Sequence, residues 1–381
     1  ATHPAFRKQK RKKGKTDPPP VPEEAEATPF EAYDSRIRES YDFSNIHKIL
    51  DAESNGLPAH LDRIALRDPV KKEEFLQAMR DANAALEKGH SIDWALFAPL
   101  LRIPHDEHYL TDKHLPPASL DHGTHVAGIL GANWRKSKAN GLDDDLVGVC
   151  PDIELYDIRI LDDKGNGDEF TVMAALQFVR WLNVRAEYMS VHGVNMSLSI
   201  PHDVANYACG RTPVCEEAER TVSSGIVVVV AAGNQGYRTY TTPDGVSSNA
   251  YNTISITDPG NADMVITVGA THRARPHTYG VSYFSSRGPT GDGRMKPDLV
   301  APGEKITAPL PNAMSGLKDG TSMAAPHVSG AAAMLMARHN ELVGRPMRIK
   351  EILCKTATDL GRERYFQGAG MLDILRAMQS I

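Results

Sequence analysis

The run Ile226-Val227-Val228-Val229-Val230-Ala231, entered from Ser224-Gly225, is the feature that most limits how this chain can fold. A strand with one wet face must alternate apolar and polar side chains. An unbroken apolar run instead suits a strand buried on both faces, and such strands belong to parallel sheets covered by helices on each side. The neighbouring segments agree. Residues 153–160 read as a strand and 168–189 as a helix, with Phe170, Val172, Met173, Leu176, Phe178, Val179 and Leu182 mostly at helical spacing. Residues 193–198 read as a strand, 214–223 as a helix and 264–269 as a further strand. This alternation requires right-handed crossovers. The expected class is therefore α/β, three layers with a mostly parallel twisted sheet flanked by helices. Residues 280–286 and 304–308 read as shorter, antiparallel strands, and helices are expected near 326–338, 347–356 and 371–379.

Upstream of about residue 119 the pattern changes. Residues 7–13 form a basic block and 17–29 are rich in Pro and Glu, which reads as a solvated linker. Within 30–118 one helix is clear: Asp68 as N-cap, Pro69 at the first position, Phe75, Met79, Ala82 and Leu86 on one stripe, and Gly89 as terminator. Trp94, Leu96, Phe97, Leu100 and Leu101 add a second apolar cluster. At 381 residues and 41% hydrophobic the chain can bury a sizeable core. It holds no apolar run near the roughly 18 residues of a membrane span. A net charge of −5 gives no general attraction to nucleic acid or to anionic membranes. Cys209 and Cys215 are spaced to close a short disulfide loop in an exported protein, whereas Cys150 and Cys354 sit in apolar contexts and read as buried thiols.

Three blocks carry chemistry. In Gly320-Thr321-Ser322-Met323-Ala324-Ala325-Pro326-His327 a serine precedes an alanine-rich helical run. Proline is tolerated in a helix's first turn, where its missing N–H would be unpaired anyway, so the helix is expected to start near Ser322. Ser322 there is either a plain N-cap or a nucleophile at the positive end of the helix dipole. Asp121-His122-Gly123-Thr124-His125-Val126-Ala127-Gly128 offers a base: a serine hydroxyl needs a neutral imidazole to take its proton and return it to the leaving group. His122 and His125, at i and i+3, also admit a metal reading, without a third clustered ligand. Asn234, in Ala231-Ala232-Gly233-Asn234-Gln235-Gly236, falls just past the carboxyl end of the buried strand, where open parallel sheets place their sites. Its amide can donate to an oxyanion, or it can be a turn residue.

Taken in order, these blocks resemble the histidine, oxyanion-asparagine and serine blocks of the subtilisin-like serine protease family, the subtilases or peptidase S8. Val147-Gly148-Val149-Cys150-Pro151 with the strand after it, Val194-Asn195-Met196-Ser197-Leu198-Ser199, Ile266-Thr267-Val268-Gly269-Ala270, Phe284-Ser285-Ser286-Arg287-Gly288-Pro289 and Lys296-Pro297-Asp298-Leu299-Val300-Ala301-Pro302-Gly303 match further blocks. The resemblance covers the chain from Asp121 to the C-terminal helix. It implies a serine endopeptidase working through an acyl-enzyme, with Ser322 as nucleophile, His122 as base and Asn234 in the oxyanion hole. A polypeptide substrate would lie along Ser197, Leu198 and Ser199, with Ala231, Ala232 and Gly233 lining the first side-chain pocket. Where the family commonly has glycines, this chain has Ser199 and Ile200, which narrow the approach.

The family's third catalytic residue, an aspartate in an Asp-Ser/Thr-Gly motif before the histidine, has no match before His122. Residues 1–6 resemble the His-Pro-x-Phe/Leu segment that follows that aspartate. The expectation is a fragment, with 1–6 a remnant of the aspartate block, 7–118 an insertion made of the 7–29 linker and a partly helical 30–118 region, and 119–381 the catalytic domain. Losing such a carboxylate costs a triad protease about 10^4 in turnover, so the chain alone should be feeble. Asp121 adjoins His122 and cannot reach back to the ring's far nitrogen. Asp157 fits only a β-barrel order of triad residues, against the α/β pattern. The alternative is an inactive, peptide-binding relative or a truncated form. The resemblance further implies no required cofactor, admits structural calcium at the 140–145 loop and an upstream propeptide, and suggests a monomer that is secreted or extracytoplasmic, with intracellular residence left open. Gly288-Pro289-Thr290-Gly291-Asp292-Gly293 lacks the lysine and helix of a phosphate loop.

Overall fold

A computed structural model describes residues 3–7, 35–51, 69–103, 121–136, 144–162 and 164–381. Most of the basic block, the Pro/Glu-rich stretch, Asp68 and residues 140–143 lie outside them. The first half contributes β1 (Ile37–Asp42), α1 (Pro69–Glu87), α2 (Trp94–Leu101), β2 (Arg102–Ile103), α3 (His122–Gly131), β3 (Leu155–Arg159) and α4 (Glu169–Ala186). Then follow β4 (Gly193–Met196), α5 (Pro213–Ser223), β5 (Val227–Ala231), β6 (Tyr237–Thr241), β7 (Ser247–Tyr251) and β8 (Ile266–His272). The last part is β9 (Leu299–Glu304), β10 (Ile306–Leu310), β11 (Met314–Lys318), α6 (Thr321–Arg338), α7 (Pro346–Thr356) and α8 (Ile374–Gln379).

The apolar run is β5, buried at every position and held between β4 and β8 in a parallel group of order β9-β8-β5-β4. Its residues divide by the two-residue period of a strand. Val227, Val229 and Ala231 meet Ala324, Ala325, Val328 and Leu335 of α6, while Val228 and Val230 meet Val172, Leu176 and Val222 of α4 and α5. The small residues of α6 let it lie close on the sheet: a methyl added to Gly303 would sit 2.6 Å from the Ala270 Cβ and 3.1 Å from that of Ala324. A second group has the order β2-β1-β3, with β1 and β3 parallel. Helix α4 spans both groups. Tyr156 and Ile158 of β3 and Val194 of β4 all pack on the cluster around Phe178. Among the described residues, β3 is bonded only to β1 and β4 only to β5.

Several expectations are met and several revised. The helix from Pro69 forms, Gly89 follows its end at φ 85°, and α1 and α2 pack Met79, Trp94, Phe97 and Leu101 on the Phe178 cluster. Residues 37–42, inside the stretch read as an insertion, supply a strand of the sheet. Residues 280–286 make only a single bridge, Thr271 to Val281, because their hydroxyls turn inward instead: Ser285 Oγ accepts from the Ala270 N–H at 3.0 Å. The antiparallel strand expected at 304–308 is β10, paired with β11. Strands β1, β2, β6, β7, β9 and β11 had no counterpart in the sequence reading. All four cysteines are free thiols, so Cys209 and Cys215 form no disulfide.

Candidate active site

Helix α6 begins one residue before the serine, with Gly320 in the N-cap position at φ 152°. Ser322 is therefore the second helical residue, and its hydroxyl caps nothing; Oγ–H donates to the Ser197 carbonyl at 3.2 Å. Pro326 sits in the second turn rather than the first. It is the residue whose N–H would have bonded the Ser322 carbonyl, so its ring frees that oxygen from the helix ladder. The freed oxygen accepts from Ser197 Oγ at 2.8 Å. The contact extends into a relay, for Asn195 Nδ2 donates to Ser197 Oγ and Ser329 Oγ donates to Asn195 Oδ1, each at 2.9 Å. Strand β4 and its continuation are thus fastened to the serine helix by side chains.

His122 opens α3 and is exposed. Its Nε2 lies 3.1 Å from the same Ser197 oxygen that receives Ser322 Oγ–H. Two groups from opposite ends of the fold converge on one carbonyl. Asp121, the residue before, turns its carboxylate to Lys318 Nζ at 2.6 Å. Asp157 in β3 bonds Arg159 Nε at 3.2 Å. Among the described residues, no carboxylate lies within 4 Å of the His122 ring nitrogens. His125 is committed elsewhere: its buried Nε2 is 3.1 Å from both the Ile306 and Gly316 carbonyls, and burial holds its pKa below the usual histidine value. A ring so held is no partner for a metal at His122, and no group of three metal-binding side chains exists among the described residues. In the 140–145 loop the Asp145 carboxylate accepts from Arg135 Nη1 at 3.0 Å and from the Lys136 N–H at 2.7 Å.

Asn234 follows β5 across Ala232 and Gly233. Its Oδ1 accepts from the Thr321 N–H at 2.9 Å and from Thr321 Oγ1 at 3.1 Å, which leaves Nδ2 as the outward donor. Thr321 Oγ1 in turn accepts from the Gly233 N–H at 3.1 Å. On the other side Ser286 receives the Gln235 N–H on its Oγ at 3.0 Å and gives its own N–H to the Gly233 carbonyl at 2.9 Å. Gly233 has φ 102° and is packed so tightly that a Cβ would sit 2.5 Å from Thr257 Oγ1. The donor is therefore fixed from two directions before any ligand arrives.

The structure brings His122, Ser322, Asn234 and Ser197 together. Leu198 and Ser199 continue the edge to Ile200, which exchanges two backbone bonds with Asp258 at 2.9 Å. Ala231, Ala232 and Gly233 lie behind, buried, with Ala231 at 2% exposure and Ala232 at 0%, so they offer a ligand almost no surface. Thr321, Ser286, Asn195 and Thr257 were missed by sequence reasoning. Only Pro326, four residues after Ser322, gave a legible signal that the serine carbonyl is released.

A family model described as the subtilase family matches residues 101–371. Subtilisin DY of Bacillus licheniformis is 33% identical over 258 residues, which is 68% of this chain and 77% of the relative. Subtilisin E of Bacillus subtilis is 32% identical over 258 residues, covering 68% of this chain and 56% of its own length. The major intracellular serine protease of Bacillus subtilis is 33% identical over 235 residues, 61% of this chain and 60% of the relative.

Proposed function

From a chain that belongs to the subtilase family, we propose a serine endopeptidase that cleaves polypeptides through an acyl-enzyme. The observation that carries this reading is the shared oxygen: Ser322 Oγ at 3.2 Å and His122 Nε2 at 3.1 Å from the Ser197 carbonyl, with Asn234 fastened beside them through Thr321. A peptide adding as a strand along Ser197, Leu198 and Ser199 would give its own N–H to the Ser197 carbonyl and release both side chains toward its reacting carbon. Ser322 Oγ then attacks while His122 Nε2 takes the proton. The oxyanion is met by Asn234 Nδ2 and by the Ser322 N–H, which as the second residue of α6 has no acceptor within the helix. His122 returns the proton to the departing amine, and water repeats the sequence on the ester.

The free ring donates from Nε2 to Ser197, whereas attack requires that nitrogen as acceptor. A carboxylate on Nδ1 would impose the reactive tautomer and stabilise the imidazolium. We assign that role to an aspartate on a segment preceding residue 1. Support comes from the two strand groups under α4, since β3 and β4 pack on one cluster and each has one edge without a strand partner among the described residues. Without it, this chain turns over slowly. The Nε2–Ser197 contact also favours a second reading, a peptide-binding relative with an inert site. The wider reading is of a monomer carrying a removable upstream segment and working outside the cytoplasm. No described helix is long and apolar enough to cross a membrane.

Reaction with a fluorophosphonate tests the proposal. Labelling should be lost in Ser322→Ala, fall sharply in His122→Ala, and rise by at least about 10^3 when the upstream segment with its aspartate is present. Failure of the extended chain to label would leave the inert reading.

A further inference from the structure

The hairpin of β6 and β7 leaves the oxyanion corner directly, since Gln235 and Gly236 alone separate Asn234 from Tyr237. Its base is anchored. The Gly236 N–H donates to the Phe284 carbonyl and the Asn252 N–H to the Gly236 carbonyl, both at 2.9 Å. The buried Arg287 guanidinium lies between the rings of Tyr251 at 4.4 Å and Phe366 at 4.3 Å. The two faces then differ. On one, Tyr237 packs on Tyr251, Thr239 bonds Asn249 and Thr241 bonds Ser247. On the other, Tyr240 bonds Asn252 Oδ1 at 2.8 Å and Arg238 Nε bonds Gln235 Oε1 at 2.5 Å.

That second face borders a cavity of about 240 Å³, walled by Gln235, Arg238 and Asn252 on the hairpin side and by His202, with Val204, Ile254 and Ile256 supplying an apolar part of the lining. Its place is set by the chain: Gln235 follows the oxyanion donor, Thr257 backs Gly233, and Pro201 ends the Ser197 to Ile200 edge. Those neighbours put the cavity between the oxyanion corner and the end of the substrate edge. The charges around it are mostly spent. His202 Nδ1 is tied to Asp258 at 2.8 Å, and Asp258 also accepts from Thr212 and Asn261. Arg294, behind Cys209 and Asn261, is paired with Asp292 and Asp263. Asp203, on the facing loop, bonds Asn206. Arg238 is exposed and, among the described residues, has no carboxylate within 4 Å.

We propose that this cavity receives the substrate side chain next to the reacting carbonyl and selects a carboxylate there, with Arg238 as the residue that sets the preference. The inference rests on the peptidase reading for its placement. A glutamate can rest its methylenes on Val204 and Ile256 and set its carboxylate against the guanidinium, a lysine meets a like charge there, and a large apolar side chain leaves Arg238 without a partner.

The test uses the intact chain carrying Ser322→Ala and dye-labelled peptide amides, Ala-Ala-Ala-Xaa-Ala, with Xaa as Glu, Gln, Leu or Lys, read by fluorescence anisotropy. Glu should bind roughly three- to fivefold more tightly than Gln, the size of an exposed ion pair, and more tightly again than Lys. Arg238→Gln should erase the Glu over Gln margin and Arg238→Glu should invert the Glu to Lys order, with the wild-type margin shrinking in high salt. Tightest binding of Leu, or an Arg238→Glu variant that leaves the order unmoved, overturns the proposal. Binding needs no turnover. A chain inert to fluorophosphonate that still prefers Glu therefore counts against the peptidase reading alone, and an active one blind to Glu counts against this inference alone.

Discussion

Pro326 shows how one residue can act by what it lacks. By removing an N–H it hands the Ser322 carbonyl to Ser197 Oγ, and the cleft edge is tied to the nucleophile's own peptide. Pro326→Ala would restore the helical donor and set it in competition with Ser197. Stability should hold or rise, by up to about 3 kcal/mol on helix propensity alone. Fluorophosphonate labelling of Ser322 should nevertheless slow about three- to tenfold, the worth of one positioning hydrogen bond; a variant both more stable and equally reactive would remove the role. The histidines make a second prediction. Burial depresses His327 from 6.5 to about 4, and His125 shifts the same way. Between those values the unfolded chain binds protons that the folded one refuses, so the stability is complete above pH 6.5 and drains away as pH falls toward 4. For His327 this amounts to about 3 kcal/mol. Thermal melts at pH 7 and pH 5 should show the loss, and His327→Gln should lessen it.

At the scale of elements, order and type were legible where burial dictated the sequence pattern. Strand β5 is apolar because both its faces are covered, and α4 keeps helical spacing because one side meets the sheet. Strand β9 was hidden by Pro302 and Gly303, which interrupt a strand pattern; among the described residues its far edge is bridged only at Val300, to Met371, so it tolerates a missing N–H at Pro302. Strands β6 and β7 were hidden because every residue in them is exposed, leaving no apolar alternation to read. The Lys296-Pro297-Asp298 block was legible as a family signature but not as a device. Buried Lys296 and Lys350 of α7 both close on the Asp298 carboxylate, at 2.8 and 2.9 Å, and Asp298 also accepts from the Thr267 N–H of β8. Asp298→Ala would strand two cations and should cost about 3–5 kcal/mol, measured by denaturant unfolding. A loss below 1 kcal/mol would mean that water reaches the cluster.

Across the whole molecule, residues from three distant blocks meet because parallel strands all deliver their carboxyl ends to one side, where β4 leads to Ser197 and β5 to Asn234. That convergence was legible from block order alone, whereas the pins that make it rigid were not, since Thr321, Ser286 and Asn195 look like ordinary polar residues until their partners are known. The division of the sheet under α4 makes a further prediction. A synthetic peptide carrying the upstream strand and its aspartate, added in trans, should seat between β3 and β4 and accelerate fluorophosphonate labelling. The same peptide with asparagine should compete for the seat without accelerating. Equal effects of the two would reduce the strand to a structural filler. The stacked guanidinium of Arg287 has a reach of its own. Through the ring of Phe366 the segment between α7 and α8 steadies the hairpin beside the oxyanion corner. Replacing Phe366 alone would thus blur the choice of substrate while leaving the hydrogen bonds of Ser322 in place.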